Sequence, residues 1–193
     1  MKHYGSEYGG YMVPDGVLTA DSVVYSVGLG EDGTFDEAIA AEFGCKVRIF
    51  DPTPRAAVYY DKNMAGNRRL SFYYYGVWSQ DTVMPFYVPR DPKHVSHSIN
   101  DLQSTGRCIY SQVHRLKTIM DTAGDTVIDL LKMDIEGAEY DVILDMIISR
   151  IKPTVICVEL HDPRPYNVTK VLDGYGYQCM YDNGKEYTYK LKP

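Results

Sequence analysis

The chain has no long apolar run, no closely spaced cysteine pair and no excess of positive charge. No stretch approaches the roughly 18–20 apolar residues that a membrane helix needs. The first ten residues, Met1 to Gly10, are polar and glycine-rich and lack the apolar core of a secretory signal. The four cysteines, Cys45, Cys108, Cys157 and Cys179, lie far apart, so neither a zinc ribbon nor a redox pair is supported. Cys45 and Cys157 sit in apolar runs and read as buried thiols, which suits a reducing, cytoplasmic setting. With 20 basic against 26 acidic residues the formal charge is −6. That balance argues against a nucleic-acid backbone as the main partner. There is no internal repeat and no low-complexity tract.

What the sequence does have is a 193-residue chain with 45% hydrophobic and 24% charged residues, enough for one domain with its own core. Tyrosine is abundant, at 18 residues against 5 phenylalanines and one tryptophan. Rings with polar tips suit a cleft for a hydroxyl-rich ligand, and equally suit half-buried sheet faces.

Short β-branched runs alternate with helical spacings. Residues 23–27, 46–50, 70–76, 127–133 and 154–160 read as strands. Phe35–Phe43, Arg55–Met64, Val113–Ala123, Glu139–Ser149 and Val168–Gly174 read as helices. Val83–Val88 reads as an antiparallel ribbon, and Pro89–Asn100 as a loop. Asn183-Gly184 between Tyr177–Tyr181 and Tyr187–Leu191 signals a closing hairpin. This order predicts an α/β fold with a mostly parallel sheet and helices on both faces. Residues 1–20 are expected to form an arm or cap, and 21–193 the domain itself.

In open α/β sheets ligands bind beyond the carboxyl ends of the strands. Those ends here read Gly28-Leu29-Gly30-Glu31-Asp32-Gly33, Asp51-Pro52-Thr53-Pro54, Gly76-Val77-Trp78, Asp134-Ile135-Glu136-Gly137 and Glu159-Leu160-His161. Gly28, Gly30 and Gly33 spell G-x-G-x-x-G, with Asp51 ending the next strand to accept hydrogen bonds from a ribose. A dinucleotide serving an NAD(P)-dependent oxidoreductase and S-adenosylmethionine both offer that ribose. Glu31 and Asp32 favour the second, because carboxylates repel a pyrophosphate and attract a sulfonium and an ammonium.

The run Leu131-Lys132-Met133-Asp134-Ile135-Glu136-Gly137-Ala138-Glu139-Tyr140 is the most specific segment. It resembles the signature of the FkbM family of S-adenosylmethionine-dependent methyltransferases. Val27–Asp32 with Phe35-Asp36, Phe50–Pro54, Tyr75–Trp78, Ser96-His97-Ser98, Val158–Leu160 and Tyr187–Tyr189 follow that family's order. The first loop reads Gly-Leu-Gly-Glu-Asp where many members read Gly-x-x-x-Gly, and resembles a subgroup. The resemblance covers about Asp21 to Leu191. It implies a Rossmann-like class I methyltransferase with a seven-stranded sheet and an antiparallel last strand. It also implies O-methylation of a hydroxyl on a sugar or secondary metabolite. Neighbouring glycosyltransferase domains are implied if the chain is one domain of a longer polypeptide. The cofactor contacts expected on this reading are Gly28, Gly30, Glu31, Asp32, Asp51, Pro52, Val77, Trp78 and Asp134.

A sugar hydroxyl needs a base within reach, or a metal that lowers its pKa. Asp134, Glu136, Glu159 and His161 are the catalytic candidates. Asp134 is expected to face the methyl. Glu136 either shares that cleft or caps the next helix, and His161 has the most convenient pKa for a base or lies at the surface. The four could instead hold a divalent cation such as magnesium, the less favoured reading because no tight ligand set is visible at Asp134. Lys132, two residues before Asp134, is expected to salt-bridge a carboxylate. Trp78 either stacks on adenine or a sugar or packs in the core. The loop 89–100, with Arg90, Lys93, His94, Ser96, His97 and Ser98, is a candidate acceptor lid.

Overall fold

The computed structural model describes residues 1–87, 106–161 and 165–193, without the side chains of residues 165 and 166. The expected lid (89–100) lies outside the described residues, as do residues 162–164.

Seven strands form one sheet. They are β3 (Val23–Val27), β4 (Lys46–Phe50), β5 (Leu70–Tyr73), β9 (Leu130–Met133), β10 (Val155–Glu159), β11 (Tyr177–Asp182) and β12 (Glu186–Leu191). Their order is β11-β12-β10-β9-β3-β4-β5, with β3 at the centre. The pairs β3–β4, β4–β5, β3–β9 and β9–β10 are parallel, whereas β12 runs antiparallel to both β10 and β11. The α/β class and the reversed last strand are therefore as expected.

Five helices cover the sheet: α1 (Thr34–Phe43), α2 (Pro54–Asn63), α3 (Leu116–Ala123), α4 (Glu139–Ile148) and α5 (Pro165–Gly174). Side chains alternate between two cores, as strand geometry requires. Val24, Leu130, Val155 and Cys157 face Phe35, Ile39, Ala56 and Tyr60 of α1 and α2. Tyr25, Val27, Leu131, Met133, Ile156 and Val158 face Leu116, Ile119, Val142, Ile143, Val168 and Leu172 of α3, α4 and α5. Strands buried on both faces read as continuous apolar runs. Lys132 is the buried lysine among them, and its parity with Leu130 puts it on the α1 side.

Residues 1–20 take a definite structure, and two local readings are corrected. Residues 1–20 contain a hairpin, β1 (Lys2–Tyr4) with β2 (Tyr11–Val13), and Tyr4, Tyr11 and Val13 are buried in the α1-side core. The Met12 carbonyl accepts a hydrogen bond from Thr188 Oγ1 at 2.6 Å, which ties the hairpin to β12. Strands so short carry little periodic signal. Residues 113 and 114 are not helical: β8 (Cys108–His114) pairs antiparallel with β7 (Thr82–Tyr87), and the helix begins at Leu116. The register with β7 overrides local propensity there. The run 70–76 is likewise split, β5 ending at Tyr73 and a two-residue strand β6 (Gly76–Val77) joining β8 in a small second sheet.

Candidate functional site

The carboxyl ends of β3, β4, β9 and β10 open on one cavity of about 310 Å³. Its floor is the loop after β3. Gly28 and Gly30 have φ of +86° and +56°, and a Cβ on Gly28 would strike the Asp134 carbonyl. Glycine is therefore required at the first position by contact as well as by conformation.

Asp51 holds that loop. Its Oδ2 accepts from Leu29 N at 2.9 Å and Gly30 N at 3.0 Å. Its Oδ1 accepts from Thr53 N at 2.8 Å and Thr53 Oγ1 at 2.6 Å. A carboxylate has about four acceptor sites, so the side chain assigned from sequence to the ribose is already fully engaged. Thr53 in turn caps α2, accepting from Ala56 N, with Pro54 at the first helical position. Asp51→Ala is expected to weaken S-adenosylhomocysteine binding by about 1.5–3 kcal/mol by loosening the loop. Titration calorimetry measures this, and an unchanged affinity would show that the loop keeps its shape without Asp51.

The two acids after Gly30 part company. Glu31 is held by Arg55 through two bonds of 3.0 and 2.8 Å, which offsets the charge it was expected to offer a cation. Asp32 accepts from Ser6 Oγ at 2.5 Å and from Thr34 N and Oγ1 at 3.0 and 2.6 Å. Burial works against its charge, but the Ser6 and Thr34 bonds outweigh that and hold its carboxyl below the usual range.

The loop after β9 carries the specific motif. Glu136 has a φ of +52° and Gly137 a φ of +100°. A left-handed non-glycine residue costs energy and persists only where its surroundings enforce it. Here the enforcer is Glu139, fully buried at the start of α4. It accepts from Ile135 N at 3.2 Å and Gly137 N at 3.1 Å. Glu136 thus lines the cavity instead of capping the helix, and Glu139 ties down the loop before α4.

His161 is clasped between glutamates. Its Nδ1 lies 2.9 Å from Glu139, and its Nε2 lies 2.9 Å from Glu159 and 3.6 Å from Glu136. Burial opposes a charge on the ring, but the bonds to Glu139 and Glu159 and the charges of Glu139 and Glu136 dominate. The pKa is raised to about 10. The residue whose ordinary pKa suits a base is here a charged imidazolium. Glu159 also binds Lys185 at 2.5 Å, and despite burial the His161 and Lys185 bonds lower its carboxyl. Asp134 goes the other way. Burial, reinforced by Glu159 and Glu136 and only partly offset by Lys132 and His161, raises its carboxyl above the usual value.

Asp134, Glu136 and His161 offer ligand atoms within 4.8 Å of one another. A cation there would have to displace a proton from a ring whose two nitrogens are both bonded to carboxylates, so this set fits a metal poorly as it stands.

Val77 and Trp78 do not line the main cavity. They line a smaller slot of about 20 Å³ behind it, together with Val27 and Phe50. Pro52, Phe86 and Ile135 belong to both walls. Lys132 Nζ donates to the Gly28 carbonyl and lies 5.7 Å from the centre of the Tyr11 ring, so the expected salt bridge is instead a main-chain bond. Sequence reasoning missed Tyr8, Gly9 and Phe86, which arrive from hairpins distant along the chain, and Lys185, which the closing turn brings to Glu159. Glu139 was in view within the motif, three residues after a charged position at a helix start, but carried no assigned role.

This sheet order, the glycine loop and the acid-bearing strand ends define a class I methyltransferase fold. Solved structures of that class share it. A rRNA methylase from Streptococcus thermophilus superposes with a TM-score of 0.50 at 15% identity, over 91% of this chain and 90% of that one. A precorrin-6y C5,15-methyltransferase from Geobacter metallireducens GS-15 gives 0.54 at 12% identity, over 91% and 82%. At such identities the likeness speaks for the fold alone. The sequence pattern of the Methyltransferase FkbM domain matches residues 22–184, and the chain belongs to that family. It is 31% identical over 151 residues to a rat protein named "Probable methyltransferase-like protein 24", and 31% over 144 residues to the human protein of that name. The chain spans about a third of the length of these two relatives, the matches covering 35% and 33% of them. This membership sets the chain among methyltransferases and not among nicotinamide-dependent oxidoreductases.

Proposed function

We propose that the protein is an S-adenosylmethionine-dependent O-methyltransferase acting on a neutral hydroxyl, with a sugar hydroxyl of a glycan or glycosylated metabolite as the acceptor. The observation that carries this reading is Asp134. It is a carboxylate with a raised pKa, set beside a glycine loop at the floor of the cavity. The residues fit the cofactor: Gly28 and Gly30 allow close approach, the apolar cavity wall of Pro52, Phe86 and Ile135 suits an adenine, and Asp32 suits an ammonium.

When bound, the cofactor supplies an already activated methyl group, so the protein has mainly to align the acceptor and take its proton. Asp134 is the base: burial raises its carboxyl above the usual value, which makes its carboxylate a stronger proton acceptor than an exposed aspartate. His161 and Glu139 position the loop that carries it. Glu31, Asp32, Asp51, Asp134, Glu136 and Glu159 line the cavity, and Lys132 is the one basic side chain among the described lining residues. A surface so acidic disfavours a phosphodiester acceptor and supports a neutral one.

Calorimetry with S-adenosylhomocysteine is the first test. Binding in the micromolar range is expected, and no heat at millimolar ligand would refute the cofactor assignment. Mass spectrometry of a glycoside panel incubated with methyl-labelled cofactor then tests the acceptor class.

A further inference from the structure

The cavity has two chemically different ends. Its apolar wall of Pro52, Phe86 and Ile135 lies toward the core under α3 and α4, where Val27 and Phe50 point. The other end lies under the amino-terminal hairpin on the α1 side, where Tyr8 and Gly9 of the hairpin meet Asp32 and Lys132. That wall is closely fitted. Ser6 Oγ bonds Asp32 at 2.5 Å, Ser6 N bonds Thr34 Oγ1 at 2.8 Å, and a Cβ on Gly9 would come within 2.8 Å of Asp32 Oδ2.

Lys132 is a lysine in a strand buried on both faces, only 6% exposed. A buried ammonium is costly and persists where it is needed. Among the described residues its one hydrogen bond is to the Gly28 carbonyl, and an ammonium has three donors. Carboxylates surround it without closing an ion pair: it acts on Asp32, Asp36 and Asp134 through charge. Asp36, beneath it on α1, is buried with one oxygen unpartnered. Arg55, the other cation near the glycine loop, has its guanidinium on Glu31. The polar end therefore presents a cation with donors to spare beside a carboxylate held ionised by Ser6 and Thr34. That is the complement of a zwitterion.

We propose that Lys132 receives the carboxylate of the cofactor's amino-acid moiety while Asp32 receives its ammonium, the amino-terminal hairpin forming the wall that holds Asp32 in place. This rests on the cofactor assignment above and adds a residue and a segment to it. Lys132 is then a binding residue, and Ser6 a positioning residue that acts through Asp32.

The test compares three ligands by titration calorimetry. S-Adenosylhomocysteine carries the whole amino acid, its decarboxylated analogue keeps only the ammonium, and 5′-methylthioadenosine has neither group. The unmodified protein is expected to bind the decarboxylated analogue about 10- to 100-fold more weakly than S-adenosylhomocysteine, the scale of a hydrogen bond to a charged group. Lys132→Met should remove that difference and leave 5′-methylthioadenosine affinity within about twofold, and Lys132→Arg should keep part of it. Ser6→Ala should weaken S-adenosylhomocysteine by a smaller factor, about threefold, without touching 5′-methylthioadenosine. Equal affinity of the unmodified protein for S-adenosylhomocysteine and its decarboxylated analogue overturns the proposal and needs no variant. So does Lys132→Met losing S-adenosylhomocysteine and 5′-methylthioadenosine by the same factor, which marks Lys132 as structural. Failure of the unmodified protein to bind any of the three refutes the cofactor assignment itself, a distinct result.

Discussion

Asp134→Asn is expected to lower turnover by about 10²-fold or more while the protein keeps its melting temperature, the scale of losing a positioned base. The amide matches the carboxylate in shape and cannot take a proton. Labelled-cofactor turnover on an accepted glycoside measures the loss. The pH profile gives a second check. Because burial raises the Asp134 carboxyl, the acid limb of the rate should fall above the pH at which an ordinary aspartate titrates. His161 cannot substitute at neutral pH, since its two nitrogens face Glu139 and Glu159 and its pKa is raised to about 10. A His161→Ala protein without turnover beside an active Asp134→Asn protein would transfer the role to the histidine. Loss of activity in EDTA with recovery in magnesium would instead make these carboxylates metal ligands.

The largest effect on stability is expected at Glu139. Glu139→Ala removes the acceptor for Ile135 N and Gly137 N and leaves His161 one carboxylate short in a buried setting. Breaking a buried ion pair from one side costs about 3–5 kcal/mol. Urea unfolding at pH 7 measures it. The double variant Glu139→Ala with His161→Ala should cost less than the two single changes together, because the orphaned charge has gone.

The pair also sets a pH dependence. His161 has a folded pKa of about 10, above its ordinary 6.5. Its contribution is therefore fully present below about pH 6.5 and is lost as the pH rises through 10. Glu159, whose pKa is lowered, contributes above the ordinary carboxylate range and loses that contribution as the pH falls through its folded value. Unfolding midpoints from pH 6 to 10 should thus fall toward the alkaline end in the unmodified protein and flatten in His161→Ala. A flat profile in both proteins would remove the charged clasp.

Much of this was legible along the chain. Val23–Val27 and Val155–Glu159 are largely apolar, β-branched runs ended by glycine or acid, so their place in a buried parallel sheet followed from composition. Asn183-Gly184 between β11 and β12 marked the reversed last strand. The motif from Lys132 to Glu139 was recognisable because its residues are contiguous along the chain, from the end of β9 to the start of α4. The hairpin β1–β2 and strand β8 were not legible, since three-residue strands have almost no period and β8 gains its identity only from its register with β7.

The sequence alone determined which side chains stand at the strand ends, because alternation and chain order are local properties. That was enough for the fold, the family resemblance and the list of acids. The role of each acid was a matter for tertiary structure. Asp51 became the holder of the glycine loop, Glu31 the partner of Arg55, and His161 the partner of Glu139, each through contacts between segments more than 20 residues apart. A carboxylate's chemistry depends on how many donors surround it and how much water it has lost. Both are set by what the fold packs against it.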